Sequence, residues 1–196
     1  SLLHMMKFYP ICTITKLIAV CSVILAFETA YNNHAFAQTS DLDDLFLELQ
    51  NEDPKGYKKV EEKIWTEWRK SGSIDVDFLL ERGMDAMSNG NFVESVQYFT
   101  AAIKEAPNFS EAWNMRATVF FLMENYIFSV ADIQQTLHLN PRHFGALGGL
   151  GMIFERTKRP KQALEVYKKL LDVHPHSKNA QDAVIRLTQQ LKGTSL

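Results

Sequence analysis

The sequence predicts an all-α protein built as a stack of antiparallel helical hairpins, and three observations predict it. Pro107, Pro141 and Pro175 stand 34 residues apart, and a fixed period in this range marks one supersecondary unit stacked on itself. Between those prolines large and small side chains recur in register, as closely packed helix pairs require. Outside the repeated stretch, apolar residues fall at the i, i+3, i+4, i+7 spacing of amphipathic helices.

With each proline set at position 32 of a unit, position 4 is Leu79, Trp113 and Leu147, and position 24 is Phe99, Ile133 and Tyr167. Position 8 is Gly83, Ala117 and Gly151; position 20 is Ser95, Ser129 and Ala163; position 27 is Ala102, Thr136 and Leu170. Two antiparallel helices approach closely only where one lacks a bulky side chain, so the small residues at positions 8 and 20 should face large neighbours. The units run over residues 76–109, 110–143 and 144–177.

This pattern resembles the tetratricopeptide repeat family, in which Trp, Leu, Gly and Tyr mark the first helix and Ala, Phe and a closing Pro the second. The first unit keeps Gly83, Phe99, Ala102 and Pro107, the second keeps Trp113 and Pro141, and the third keeps Leu150, Gly151, Ala163, Tyr167 and Pro175. Arg82 and Arg116 depart from the family at position 7, where Leu is usual, and Leu170 departs at position 27. The resemblance covers about residues 76–177. It implies a right-handed superhelix of hairpins with a concave, ligand-binding inner face, and it does not name a ligand.

Residues 1–37 read as a secretory signal peptide with a few residues ahead of it, the expected start being Met5 or Met6. Lys7 and Lys16 precede an uncharged apolar run from Leu17 to Phe27, and a polar stretch ends in Ala35-Phe36-Ala37. That run is far short of the roughly 20 apolar residues needed to cross a bilayer, so no membrane span is expected after cleavage at Ala37. The expected location is the periplasm. Cys12 and Cys21 both fall in the leader, so the exported chain is expected to fold without a disulfide, on a core of adequate size. Lipid attachment at Cys21 is the lesser alternative, since Val20 precedes it where a very small residue is wanted.

Residues 38–75 predict a divergent N-terminal hairpin. Leu42, Leu45, Phe46 and Leu49 form one apolar stripe, with Ser40 and Asp41 as caps. Asp53-Pro54 opens a second helix whose stripe is Tyr57, Val60, Ile64, Trp65 and Trp68, and Gly72 ends it. Leu49, Glu61 and Trp68 occupy positions 8, 20 and 27, so this hairpin cannot dock at the close spacing of the others. It is expected to cap the stack; were it to fold over the first repeat, only the second and third would stay open to a partner. Residues 178–196 predict a C-terminal capping helix, with Ala180, Ala183, Val184, Leu187 and Leu191 on its apolar side.

Charge and chemistry narrow the function. The chain carries a net charge of −2, which gives no electrostatic case for nucleic acid. Six acidic groups crowd residues 41–53, and Arg156, Lys158, Arg159, Lys161, Lys168 and Lys169 cluster in the third repeat; both read as solvated helix faces. The run from Gly145 to Gly151 lies inside a predicted helix, not after a strand, so it reads as close packing and not as a phosphate loop. His138, His143, His174 and His176 lie near repeat boundaries without metal-ligand spacing, and no nucleophile elbow surrounds any serine. No metal, cofactor or catalytic residue is expected. An enzyme would have only Glu155, Arg156 and the nearby histidines to work with.

In the family, positions 2, 5, 9, 12 and 13 face the groove. Leu80, Met84, Met87, Asn114, Thr118, Phe121, Met152, Glu155 and Arg156 are the candidate partner-binding residues on that ground. Gly145, Gly148 and Gly149 would leave a shallow floor beside them. Members that grip a C-terminal carboxylate place Lys, Asn and Arg at several of these positions, and here only Asn114 matches, so no carboxylate clamp is expected. A Met, Leu and Phe floor fits a protein or peptide segment. The competing expectation is a structural or self-associating module whose groove is filled by its own N-terminal hairpin or by a second copy.

Overall fold

Apolar stripes at helical spacing dictate the elements, and in the computed structural model, which describes residues 41–51 and 56–193, every described element is a helix. Helix α1 covers residues 41–51. It is followed by α2 (Tyr57–Trp68), α3 (Ile74–Ser88), α4 (Phe92–Glu105), α5 (Ser110–Leu122), α6 (Tyr126–Leu139), α7 (Phe144–Arg156), α8 (Pro160–Val173) and α9 (Lys178–Gly193). Residues 45–193 belong to one body; residues 41–44 are the first turn of α1 and lie outside it. The leader and the Asp53-Pro54 cap lie outside the described residues. Among the described residues no helix is long and apolar enough to cross a membrane.

Helices α3/α4, α5/α6 and α7/α8 are three antiparallel hairpins, stacked in order, with α9 packed on α8. Inside each hairpin the chain turns through a left-handed residue at position 15, namely Gly90 at φ 75°, Glu124 at φ 59° and Lys158 at φ 56°. The next N–H then reaches back six residues less one to close the helix end, as in Asn125 N–H to Phe120 O at 2.8 Å and Arg159 N–H to Phe154 O at 2.7 Å.

The small positions work as the pattern requires. A β-carbon on Gly83 would overlap the Phe99 ring, and one on Gly151 would lie 2.6 Å from Tyr167 Cζ. The position-20 serines add a hydrogen bond across the same close approach: Ser95 Oγ donates to Gly83 O at 2.7 Å and Ser129 Oγ to Ala117 O at 2.8 Å. At position 7, Arg116 replaces a packed leucine with a two-pronged ion pair to Asp132 of α6 (2.7 and 2.8 Å) and lies over the Trp113 ring.

The N-terminal hairpin does not fold over the first repeat, and α2 makes no close backbone packing with α3 of the kind that joins successive hairpins. It crosses instead to the junction of the second and third repeats and to the far end of the third. Trp68 stacks on His143 with ring centroids 4.1 Å apart, Trp65 meets Phe144 edge-on at 5.1 Å, and Arg142 lies over Phe46 at 4.2 Å. Lower down, Tyr57 meets His174 at 5.4 Å and His176 at 5.6 Å. The reason is steric: Trp68 at a position that demands a small residue forbids close stacking, whereas the aromatic and histidine side chains at the α6–α7 and α8–α9 turns offer flat partners.

Candidate functional site

With α2 laid across them, α5 and α7 form the walls of a groove. Gly145, at position 2 of the third repeat, gives up its side-chain space to Trp65, whose Cη2 lies 2.5 Å from where a β-carbon would stand. Part of the expected shallow floor is therefore filled by the chain's own indole. What remains open is a cavity of about 460 Å3 between α2 (Glu62, Trp65, Thr66, Arg69), α5 (Glu111, Asn114, Met115, Thr118) and Gly145 of α7. A smaller one of about 80 Å3, reaching Phe121, Ile133 and Met152, shares Asn114, Thr118 and Gly145 with it. The first value falls within the range of roughly 300–1,000 Å3 common for binding sites.

The polar anchor of this groove is a buried pair. His143, at the N-cap of α7, accepts the Ala146 N–H on Nδ1 at 3.1 Å and holds Glu111 Oε2 at 2.8 Å through Nε2. Both side chains are almost fully buried, at 0% and 1% exposure. Asn114 Nδ2 also donates to Glu111 Oε2, at 3.2 Å, and Thr118 Oγ1 donates to Asn114 O at 2.9 Å.

Of the residues expected to face the groove, Asn114, Thr118, Phe121 and Met152 come together on its walls. Leu80 does not: it is 1% exposed, in the core formed with Phe99, Ala112 and Val119. Met84 and Met87 are half-buried against that same core. Glu155 turns away to brace the C-terminal helices, accepting the Tyr167 hydroxyl at 2.9 Å and Arg186 Nη1 at 2.5 Å. The Arg186 hydrogen bond holds its carboxyl below the usual carboxylate range, while burial and the bond to Glu155 push the Tyr167 phenol up. Arg156 is exposed at the end of α7.

Position counting within the repeats could not find Glu62, Trp65, Thr66 and Arg69, because they belong to α2 and its C-cap. One signal did point to them: a glycine on a groove-facing position leaves room that a large side chain elsewhere must fill. Among the described residues no group of three or more His, Cys, Asp or Glu side chains is placed to hold a metal ion.

Stacked helical hairpins with a groove along one side define a helical repeat protein. The chain belongs to the tetratricopeptide repeat family, whose model matches residues 80–126 and 129–180. A TPR repeat-containing protein of Rhizobium etli is 34% identical over 153 residues, covering 78% of this chain and 75% of that protein. The small glutamine-rich tetratricopeptide repeat-containing protein 2 of Saccharomyces cerevisiae is 30% identical over 54% of this chain, which spans only 30% of that protein's length. The fold is also that of the first TPR of Spaghetti (RPAP3) bound to the HSP90 peptide SRMEEVD, with a TM-score of 0.58 and 19% identity over 60% of this chain and 94% of that one. The TPR2B domain of yeast Sti1, solved as a pHsp70 complex, gives 0.56 and 18% over 60% and 99%.

Proposed function

We propose that this chain is an exported, non-catalytic adaptor of the bacterial cell envelope that holds a segment of a partner protein in the groove between α2, α5 and α7. One observation carries the reading: Asn114 and Thr118 line both cavities, so the open space runs from the α2 side to the apolar residues Phe121 and Met152 as one track. Met152 is 46% exposed, a large apolar side chain left at the end of that track. The solved relative bound to an HSP90 peptide supports a peptide as the class of ligand. The missing clamp residues argue against a C-terminal carboxylate as its anchor. Export rests on the three-part leader in residues 1–37.

The test is a pull-down from the cell envelope with the unsubstituted chain and with Phe121→Arg and Met152→Arg. Loss of the captured partner from both variants, with helix content unchanged, is the expected result. Equal retention by the variants would sink the groove assignment.

A second reading is favoured by Trp65, which already fills the space at Gly145. Here α2 itself is the groove's occupant and the module is structural. A monomer of concentration-independent mass that binds no apolar dye would support this closed form, and dye binding abolished by Met152→Arg would exclude it.

A further inference from the structure

A residue that lines the groove carries a buried polar atom that the chain itself leaves unmatched. Glu111 Oε2 is doubly bonded to His143 and Asn114, but Glu111 Oε1 is buried without any hydrogen-bond partner. A buried acceptor of this kind calls for a donor from outside the chain, whether a water, an ion or a ligand group. The Ala146 N–H donates to His143 Nδ1, which leaves Nε2 as the ring nitrogen that meets Glu111 Oε2 and nothing on the ring to serve Oε1.

Glu111 lines the larger cavity, and so do a second carboxylate, Glu62, and the indole of Trp65, with Arg69 the only cation among the lining residues. A carboxylate oxygen without a donor of its own, with a second carboxylate and an aromatic ring nearby, is the chemistry that binds a guanidinium or an ammonium. We propose that this cavity takes the charged head of an arginine or lysine side chain projecting from the bound segment. Glu111 Oε1 accepts from it at the base, Glu62 balances its charge nearer solvent, and Trp65 covers the aliphatic stem. This deepens the groove-binding reading and rests on it: the polarity is opposite to that of a carboxylate clamp, since the protein supplies the anion and the partner the cation.

The probe is the peptide acetyl-Ala-Ala-Arg-Ala-Ala-amide, titrated into the full chain and followed by tryptophan fluorescence. Lysine, citrulline, norleucine and glutamate versions of the same peptide accompany it. The arginine and lysine peptides should bind, and the neutral and acidic ones should bind at least about tenfold more weakly. Glu111→Gln should weaken the arginine peptide by about tenfold or more, and Glu62→Gln by about threefold. Circular dichroism checks the fold of each variant, and the exposed Glu62 carries the test if the buried substitution unfolds the chain. Norleucine or citrulline binding as tightly as arginine would mean that a water serves Oε1, and would overturn the proposal. So would tighter binding of the glutamate peptide, or no binding by any of them. Retention of a partner lost only on Phe121→Arg and Met152→Arg would then show the groove intact as an apolar site, separating the two failures.

Discussion

Gly83 and Gly151 mark the points where the helices of a hairpin come closest, and each is held by the aromatic ring at position 24 of its own unit. A glycine inside a helix ordinarily costs about 1 kcal/mol relative to alanine. Against that, forcing a methyl into a filled contact costs typically about 1–3 kcal/mol. The 2.6 Å approach of a β-carbon on Gly151 to Tyr167 makes the second effect win. Gly151→Ala should therefore lower stability by about 1–2 kcal/mol. Gly148→Ala is the control with the opposite sign, since its β-carbon would meet Leu170 Cδ1 at an ordinary 3.5 Å; it should gain about 1 kcal/mol. Denaturant melts of both variants check the pair, and a loss of stability in each would show that α7 tolerates no added carbon. Arg116 teaches a related lesson. It departs from leucine at position 7, Asp132 stands at the facing position 23, and the two replace an apolar contact by an ion pair across the same helix interface.

At the scale of elements, the N-terminal hairpin is held by rings and, at its foot, by Glu61 set against His174. Glu61 of α2 lies 3.6 Å from His174 Nε2, and the imidazole beside it holds its carboxyl below the ordinary value of 4.5, against the opposing effect of burial. Glu155 is held below that value by Arg186. A carboxyl whose folded pKa is depressed contributes stability that is fully present above its unfolded pKa and is lost as pH falls through the folded one. Thermal midpoints should accordingly fall from about pH 5 downward, and Glu61→Gln should make that fall shallower. An unchanged slope in the variant would remove Glu61 from the acid response. The three central hairpins could be read directly from residue spacing, because large-against-small contacts within a hairpin recur at a fixed separation. The course of α2 could not. Its contacts join Trp65 and Trp68 to residues 143–145, a pairing that depends on which flat surfaces the finished stack presents. For the same reason position counting groups Asn114, Thr118, Phe121 and Met152, which line one cavity, with Leu80, Met84, Met87, Glu155 and Arg156, which do not line it. Leu80 is claimed by the core of the first hairpin, and Glu155 by Tyr167 and Arg186.

For the whole molecule, the proposed export leader at residues 1–37 predicts processing. The protein recovered from the periplasm should begin at Gln38, as read by N-terminal sequencing; a chain that keeps its leader, or stays in the cytoplasm, would refute the export reading. The closing of α2 onto the third repeat bears on how the body holds together. An open repeat array is nearly one-dimensional, each unit leaning only on its neighbours, so it can melt from one end while the other survives. Here the hairpin that comes first in the chain rests on the repeat that comes last, and α7, with four glycines and weak intrinsic helicity, is the surface on which they meet. Fraying at either end therefore withdraws support from the other. The chain behaves as a clasp whose two halves must be fastened together, and a partner that pries α2 loose would loosen α7 along with it.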